Sequence, residues 1–594
     1  MTLAPLRRAN AASPSSASDL LAPDCRGQNF FAIDDGLRQL LTLYLDPAVH
    51  RHLAPHFDRL GALAGGRLDE LAAIADKNPP VLHARDRQGR DEDWIEYHPA
   101  YREMEGIAFG DFQFHAMSHR GGVLGLGAPL PAVAKYAFQY LFVQGEFGLM
   151  CPISVTDTSI HLLAKYGSDD LKALLLPRML SDDLGSLWKG TQFMTEKAGG
   201  SDVGAIETSA RHDGAVWRLF GEKWFCSHTD ADVALLLARP EGAGSGTGGL
   251  ALFAMPRRLE DGRRNSYRIV RLKDKLGTRS MASGEIRLEG AVGYPVGNLR
   301  NGFKQMLDQV NLSRLSHGVR AAAMMRRCLN EALQAARGRA AFGRPVVSYP
   351  LMRRQLMKLM VPTEQALSMV LFTADALARA GAGSAEAGQL LRFLTPLVKF
   401  RACRDNIAVA TGAMEVRGGN GYIEEWVTAR LVRDAHIGVL WEGTSNIIAL
   451  DLIGRAVGKV FAHRALAQRL SERLAAAAGV PDDHRRDLGA ALDRSIGLAE
   501  QVARDPRSEQ LSRKAATALY NATSAVLLAH EGVQDPGDAR RLLLSRMVLA
   551  HRLAASDPLA PDEAPWERPA IDLLLSGDPV PLDRARAALA AQAG

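Results

Sequence analysis

Near the end of a long helical region, one acid stands beside an aromatic ring. Residues 439–451 read VLWEGTSNIIALD, so Glu442 directly follows Trp441. A bulky ring shields a carboxylate from water, which favours the neutral acid and raises its basicity. The helix predicted to begin at Thr444 acts in the opposite sense, because a helix N-terminus stabilises an anion. A carboxylate between these two influences suits general-base catalysis, and the simpler alternative is a glutamate that only caps a helix.

Two further segments carry groups that could hold a flat ligand. In QFMTEKAGGSDVG, 192–204, the hydroxyls of Thr195 and Ser201 flank a glycine pair. This segment is either a turn between domains or a polar lip for a heteroaromatic ring. In KWFCS, 223–227, Phe225 and Ser227 fall on one face of a predicted strand. Aromatic residues on strands are more often core residues.

Three glycine-containing motifs need a choice between a structural and a functional interpretation. RAAFG, 339–343, ends a predicted helix, so Arg339 is either a partner of the helix dipole or a ligand for phosphate. RGGNGY, 417–422, is either a plain helix stop or a place where backbone approaches a phosphate. GSGTGG, 244–249, has the spacing of a dinucleotide loop, but a predicted strand follows it. We therefore expect a hairpin turn there.

The composition is that of a folded protein with several domains. The chain has 594 residues, 47% hydrophobic and 23% charged, which predicts two to four domains. We find no membrane span and no secretory signal. Five scattered cysteines form neither a disulfide framework nor a metal pattern, and no histidine spacing indicates a metal site. We expect a cytoplasmic protein without a structural metal.

Hydrophobic periodicity changes several times along the chain. Apolar residues at helical spacing give way to short alternating runs and then return. The predicted regions are an N-terminal tail (1–35), an N-terminal helical domain (36–191), a middle antiparallel β-barrel (192–300), a C-terminal four-helix bundle (301–455) and an extra helical tail domain (456–594). The fold class is therefore α+β.

The order of these motifs is more specific than any one of them. A Thr-Glu…Gly-Ser-Asp lip, a Trp-Phe-x-Ser strand, an Arg-x-x-Phe-Gly helix end, a Gly-Gly-Asn-Gly turn and a Trp-Glu-Gly-Thr loop follow one another. In this order the chain resembles the acyl-CoA dehydrogenase flavoproteins over about 90–455. It is most similar to their AidB branch, the alkylation-response flavoproteins. Four stretches carry that closer match: 78–90, 194–203, 271–283 and 441–447.

This resemblance implies an FAD site that is shared between subunits of a homotetramer, a dimer of dimers. It assigns the catalytic base to Glu442 and substrate contacts to Asn311, Arg314 and Trp441. The residues that it assigns to FAD are Gln192, Met194, Thr195, Gly200, Ser201, Phe225, Cys226, Ser227, Arg339, Phe342, Gly418, Gly419, Trp441, Thr444 and Asn446. Arg339 and Phe342 are expected to reach the cofactor of the neighbouring subunit.

The sequence departs from the family pattern at two positions, and a third excludes an alternative base. Glu415 replaces a glutamine beside the FAD adenosine, and Asn311 replaces an acid that helps to place the substrate. Some members carry their base at the position of Ser313, and a serine cannot be a carboxylate base. Glu442 is the remaining candidate.

Two functions are compatible with the resemblance. The first is an FAD-dependent dehydrogenase of acyl-CoA thioesters. Glu442 takes the α proton, the β hydride goes to flavin N5, and the product is a trans-2-enoyl thioester. Electrons then pass to an electron-transfer flavoprotein or to oxygen.

The second function is a DNA-associated flavoprotein of the alkylation response with weak dehydrogenase activity. The tail, 456–594, holds 18 Lys and Arg against 18 Asp and Glu, so the net charge of +6 resides in 1–455. A neutral tail favours an oligomerisation or lid element, and we expect at most weak, non-specific DNA binding.

Overall fold

Secondary structure follows the order helical, β, helical and helical along the chain, which confirms the predicted fold class. The computed structural model describes residues 21–590 apart from 556, 558 and 560–563. The first 20 residues of the predicted N-terminal tail lie outside the described residues.

The N-terminal region places its helices around α5, which is buried on almost every side. Its elements are α1 (Asp35–Tyr44), α2 (Pro47–Gly65), α3 (Arg67–Lys77), β1 (Val81–Arg85), β2 (Asp91–Glu96), α4 (Pro99–Glu105), α5 (Ala132–Gly145), α6 (Met150–Tyr166) and α7 (Asp169–Met179). Polar caps begin several of these helices. The Asp34 carboxylate accepts the Leu37 N–H at 2.9 Å, which satisfies a donor that the helix itself leaves free.

The boundary of the N-terminal tail at residue 35 is wrong. Cys25 and Phe30 are buried in the main apolar core. The Gly27 N–H donates to the Gly65 carbonyl at 2.6 Å. A segment that buries apolar side chains and pairs its backbone is part of the folded region, so the helical domain includes residues before 35.

A β-hairpin interrupts the region predicted to be helical throughout 36–191. Strands β1 and β2 pair antiparallel after Pro79 and Pro80, which cannot continue helix α3. The Asp93 carboxylate accepts the Ile269 N–H at 3.0 Å and pairs with Arg264 at 2.6 Å. The hairpin therefore attaches to the middle region and not only to the helices around it.

The middle region is a closed barrel. Its strands are β3 (Gly190–Phe193), β4 (Ser209–His212), β5 (Trp217–Ser227), β6 (Val233–Pro240), β7 (Ala251–Pro256), β8 (Tyr267–Leu272) and β9 (Ser283–Pro295). Pairing runs β6–β4–β5–β9–β7 and returns to β6, while β3 pairs with β6 and β8 with β9. The barrel is not wholly antiparallel as predicted, because β3 and β4 run parallel to β6. Both pairings join strands separated by a crossover, which parallel pairing requires.

The GSGTGG segment connects β6 to β7, and these two strands pair antiparallel. The prediction of a hairpin turn in place of a dinucleotide-binding loop is therefore confirmed.

The C-terminal bundle consists of long helices joined by short connections. Its elements are α8 (Gly302–Gly338), β10 (Ala340–Ala341), β11 (Arg344–Pro345), α9 (Pro350–Gly381), α10 (Ala385–Arg417), α11 (Val427–Ala435) and α12 (Ser445–Leu450). Helices α8, α9 and α10 pack against one another, and the short α11 and α12 pack on α10. The predicted four-helix bundle therefore consists of three long helices and two short ones.

The tail contains α13 (His463–Ala476), α14 (Asp482–Arg504), α15 (Ser512–Gly532), α16 (Arg540–Val548), α17 (Glu567–Ser576) and α18 (Leu582–Leu589). Leu519 and Leu527 of α15 belong to the same apolar core as Leu367 of α9. The predicted boundary at 456 therefore does not separate two cores. Within the described residues, no helix combines the length and hydropathy needed to cross a membrane.

Candidate active site

A cavity of about 890 Å³ lies where the barrel meets the C-terminal bundle. Its walls come from α6, from β3 and β5 with the loop after β3, from the first half of α8, and from the segment 437–455. The fold thus brings the predicted lip, the strand and the Trp-Glu-Gly-Thr loop to one place, although 250 residues separate the first from the last.

Most of the sequence-predicted residues line this cavity. They are Gln192, Met194, Thr195, Gly200, Ser201, Phe225, Ser227, Asn311, Arg314, Trp441, Glu442 and Thr444.

Two predicted residues near the cavity are not in its wall. Cys226 is completely buried in the barrel core, because consecutive side chains of β5 point to opposite faces of the strand. Only its backbone could contact a ligand beside Phe225 and Ser227. Asn446 is exposed, while its neighbours Thr444 and Ile447 line the cavity.

The remaining predicted residues form a second, separate cluster. A β-carbon at Gly418 would lie 3.4 Å from Nη1 of Arg339, so the arginine lies over the glycine turn that also contains Gly419. Phe342, at the tip of the β10–β11 hairpin, is 97% exposed. Arg339 follows Arg314 by 25 residues along α8, which corresponds to about 37 Å of helix. One copy of the chain therefore keeps this cluster far from its own cavity.

Glu442 has a strained backbone and a defined side-chain position. Its φ is +55°, in the left-handed region that a non-glycine residue rarely adopts, and Gly443 follows at +100°. Ser313 Oγ donates to Glu442 Oε1 at 3.0 Å. Such backbone strain persists where the surroundings impose it, which is typical of functional sites. The serine at the alternative base position thus contacts the carboxylate of Glu442.

The electrostatic surroundings of Glu442 favour the neutral acid. Burial raises the pKa of Glu442, and the Ser313 hydroxyl with the charges of Arg314 and Lys399 opposes that rise without cancelling it. Lys399 donates from Nζ to the Gly443 carbonyl, and burial lowers the pKa of Lys399 to about 8. The carboxylate is therefore a stronger base than an exposed glutamate, as the sequence argument expects.

Arg314 is held by an acid that sequence reasoning missed. Its Nη1 donates to Asp451 Oδ2 at 2.9 Å, and Arg392 donates to Asp451 Oδ1 at 2.7 Å. Arg314 Nε also lies 3.4 Å from the Glu442 carbonyl oxygen. These contacts fix the loop that carries Glu442 to helices α8 and α10. No local pattern marks Asp451, because its partners lie 59 and 137 residues away.

Sequence reasoning also missed His317, Arg320 and Cys151, which line the same cavity. A signal was available: Ser313, His317 and Arg320 follow one another at helical spacing and share one face of α8. The His317 ring lies 5.5 Å from that of Trp441. Burial keeps the pKa of His317 well below its usual value, so the imidazole is neutral.

Three protein-family models match consecutive parts of the chain. Residues 21–184 match the Adaptive response protein AidB N-terminal domain. Residues 191–291 and 300–458 match the middle and C-terminal domains of acyl-CoA dehydrogenase. The Escherichia coli (strain K12) protein named "Putative acyl-CoA dehydrogenase AidB" is 36% identical over 399 residues, 65% of this chain and 70% of the relative.

The chain belongs to the acyl-CoA dehydrogenase family. The resemblance inferred from motif order is thus confirmed, including its AidB-like character. Another acyl-CoA dehydrogenase, family member 11 of Caenorhabditis elegans, is 30% identical over 464 residues, 75% of this chain and 73% of the relative.

Two solved structures share this acyl-CoA dehydrogenase fold over most of their length. Caenorhabditis elegans ACDH-11 in complex with C11-CoA has a TM-score of 0.83 at 25% identity, covering 91% of this chain and 94% of that one. The Bd2924 apo-form has a TM-score of 0.77 at 30% identity, covering 86% and 99%.

Proposed function

We propose that this acyl-CoA dehydrogenase uses FAD and that Glu442 removes the α proton of an acyl-CoA thioester to give a trans-2-enoyl product. The observation that carries the proposal is the Glu442 carboxylate in the cavity wall, held by Ser313 and made more basic by burial. The ACDH-11 structure with C11-CoA supports a thioester as the ligand class.

The residues of the cavity fit a flavin. Phe225 is 56% exposed although it lies on a barrel strand, so its ring is available to stack on a flat ligand. Hydroxyls of Thr195, Ser201 and Ser227 line the same wall and can bond to ring nitrogens and oxygens. When bound, FAD supplies the acceptor for the two electrons of the reaction.

The protein's own residues bind the thioester, exclude water from the cavity and move one proton. A proton next to a thioester carbonyl is weakly acidic, so the base must have its basicity raised and the carbonyl oxygen must meet donors. Glu442 satisfies the first condition through burial. The Arg314–Asp451–Arg392 contacts hold the loop of Glu442 in place, and a fixed base loses little entropy in the reaction.

We further propose that a second copy of the chain completes the FAD site, within a homotetramer. The Arg339 cluster lies about 37 Å along α8 from Arg314, a separation that supports a role at a neighbour's cofactor. Phe342, Leu351 and Tyr422 are apolar side chains exposed by 79% or more near that cluster, which is typical of an interface. A flavin-saturated monomer in analytical ultracentrifugation would contradict this assembly.

For the remaining partners, we propose an electron-transfer flavoprotein or oxygen as electron acceptor and a cytoplasmic location. The five cysteines are free and buried, which fits a reducing compartment. For DNA we propose at most weak, sequence-independent binding, because the tail is electrically neutral. A salt-resistant, sequence-specific complex in a filter-binding assay would overturn this view of DNA.

The test compares Glu442→Gln with Glu425→Gln, a matched change at an exposed glutamate outside the cavity. Both proteins should retain FAD, identified after acid precipitation. Stopped-flow bleaching of the flavin by acyl-CoA thioesters under anaerobic conditions should be at least ~10²-fold slower in Glu442→Gln, the usual loss when a general base is removed. Equal bleaching rates in the two variants would exclude Glu442 as the base, and release of FMN would contradict the cofactor.

A further inference from the structure

Arg320 is a buried charge whose guanidinium has unused donors. It lines the cavity and is only 1% exposed. In the described part of the chain, its Nε and Nη1 have no hydrogen-bond partner, and no carboxylate lies within ion-pair distance. Within these described residues, the Cys151 thiol is the one side chain that contacts the guanidinium by hydrogen bonding, so two buried donors are left without acceptors. Such donors are energetically costly, and a ligand is the natural source of the missing acceptors.

Two other buried arginines on the same helix do pair with carboxylates. Arg326 pairs with Asp34 and Glu364, and Arg327 pairs with Asp69 and Glu331. These residues follow Arg320 by less than two turns on the same helix. The absence of a carboxylate at Arg320 is therefore a property of the cavity and not of buried arginines in this fold.

Among the described residues, no carboxylate forms an ion pair with Arg320, although the charge of Glu442 acts on it at longer range. Burial raises the pKa of the Cys151 thiol, so this neighbour is uncharged at neutral pH. Glu442 accepts from Ser313 and is not within ion-pair distance of Arg320. Aromatic rings complete the surroundings: the guanidinium carbon lies 5.8 Å from the Phe147 ring centroid and 5.9 Å from that of Trp441. Arginine stays charged at such a site.

The position of Arg320 relative to the base sets the length of a suitable ligand. Arg320 follows Ser313, the partner of Glu442, by seven residues, which corresponds to about 10 Å along α8. Helical side chains lean toward the N-terminus, so the guanidinium lies nearer to Glu442 than its backbone does. A chain of a few carbon atoms would connect the two sites.

We propose that the substrate is an acyl-CoA thioester with a second carboxylate at the far end of a short acyl chain, and that Arg320 binds this carboxylate. The inference rests on the proposed dehydrogenase function and narrows its substrate class. A planar carboxylate can accept two parallel N–H bonds from the guanidinium, whereas an alkyl end would leave these donors buried without partners. Arg320 is thus the residue that selects among acyl groups.

The experiment uses the FAD-loaded protein and thioester pairs that differ only in the terminal group: butyryl and succinyl, valeryl and glutaryl, hexanoyl and adipyl, with C11-CoA as a long apolar comparator. Binding is measured by calorimetry on Glu442→Gln, and flavin reduction on the parent. We expect at least one dicarboxylic thioester to exceed its monocarboxylic match by ~10- to 100-fold in kcat/KM, the range of a charge-assisted contact. Arg320→Met should abolish or invert that preference, while Arg300→Met, at an exposed loop position, should not.

The other outcomes of this experiment contradict either the substrate inference alone or the proposed function as well. Equal or better use of the monocarboxylic or C11 thioesters by the parent overturns the inference and leaves the dehydrogenase function intact. An unchanged preference in Arg320→Met also overturns it, as does loss of FAD from that variant, which would assign the arginine to the cofactor. If no thioester binds to Glu442→Gln or bleaches the parent flavin, the proposed function fails together with the inference.

Discussion

Helix α8 crosses two regions of the molecule, one where its buried arginines all pair with carboxylates and one, at the cavity, where Arg320 does not. Around Arg326 and Arg327, every guanidinium meets two carboxylates, and Arg541 of the tail joins the same network through Glu364. At the cavity, Arg314 pairs with Asp451, whereas Arg320 has no carboxylate partner among the described residues and Glu442 accepts a hydrogen bond from Ser313. Since Arg320, Arg326 and Arg327 are all buried, the contrast separates charges that hold domains together from the one that we propose binds a ligand.

The paired region joins distant parts of the chain. Glu531 of α15 accepts from Arg541 at 3.0 Å and from Tyr44 at 3.1 Å, and Arg541 donates to Glu364 of α9 at 2.9 Å. One network therefore contacts the N-terminal helices, the bundle and the tail. This arrangement explains why the tail shares a core with the bundle.

The largest expected effect tests this contrast directly. Arg541→Met removes a cation from Glu364 and Glu531 and should cost about 3–5 kcal/mol of unfolding free energy, because it leaves buried carboxylates unpaired. Arg320→Met removes a cation that has no carboxylate, so it should leave stability equal or increased. Urea unfolding followed by circular dichroism measures both. Equal losses of unfolding free energy in the two variants would mean that Arg320 stabilises the fold as much as the ion-paired Arg541 does.

Arg339 extends the comparison to an exposed arginine near a glycine turn. If it contacts a phosphate of the neighbouring subunit's FAD, Arg339→Ala should weaken FAD binding by about 1.5–3 kcal/mol, the value of a hydrogen bond to a charged group. Flavin retained after dialysis is the measurement, with Arg300→Met as the control. Unchanged retention would argue that Arg339 has only a structural role.

A substitution of Ser313 tests how the cavity sets the pKa of Glu442. The Ser313 hydroxyl lowers the pKa of Glu442 against the larger effect of burial, so Ser313→Ala should raise that pKa further. A base must be ionised to act, so the rising limb of kcat/KM against pH should move to higher pH. The pH profile of flavin reduction reports the shift, and a displacement to lower pH would refute the assignment.

The smallest expected effect concerns Asp434, a buried carboxylate whose pKa can be compared with that of the ion-paired Asp69. Burial would raise the pKa of Asp69 as well, but Arg327 and Arg430 outweigh it and lower that pKa. Burial raises the pKa of Asp434 to about 7, against the Thr278 N–H that it accepts at 2.6 Å.

The raised pKa of Asp434 makes the free energy of unfolding depend on pH. The folded protein keeps this proton up to about pH 7, while the unfolded chain loses it near the ordinary pKa of 3.8, so stability falls as pH rises between these values. Asp434→Asn, which can still accept the Thr278 N–H, should flatten that part of the stability profile. A profile identical to that of the parent would show that Asp434 does not titrate in this range.

Sequence reasoning was most successful where the pattern is local. The GSGTGG turn, the β5 face that holds Phe225 and Ser227, and the helix onset after Glu442 follow from residue type and spacing within a few positions. It erred where long-range packing decides. Residues 22–34 fall within the predicted tail, 1–35, yet Cys25 and Phe30 are buried in a core made by residues far along the chain.

The sequence by itself determined the family, the order of the helical and β regions, and a set of site residues most of which line the cavity, because motif order and periodicity are properties of the chain. Only the tertiary structure decided which charges have partners. Asp34 and Arg326 are 292 positions apart, and Arg314 meets Asp451 across 137. Arg320 has the same residue type and helix as Arg326, but it faces a cavity where its neighbour faces two acids. Ion pairing depends on distances of a few ångströms between remote segments, and no local pattern encodes those distances.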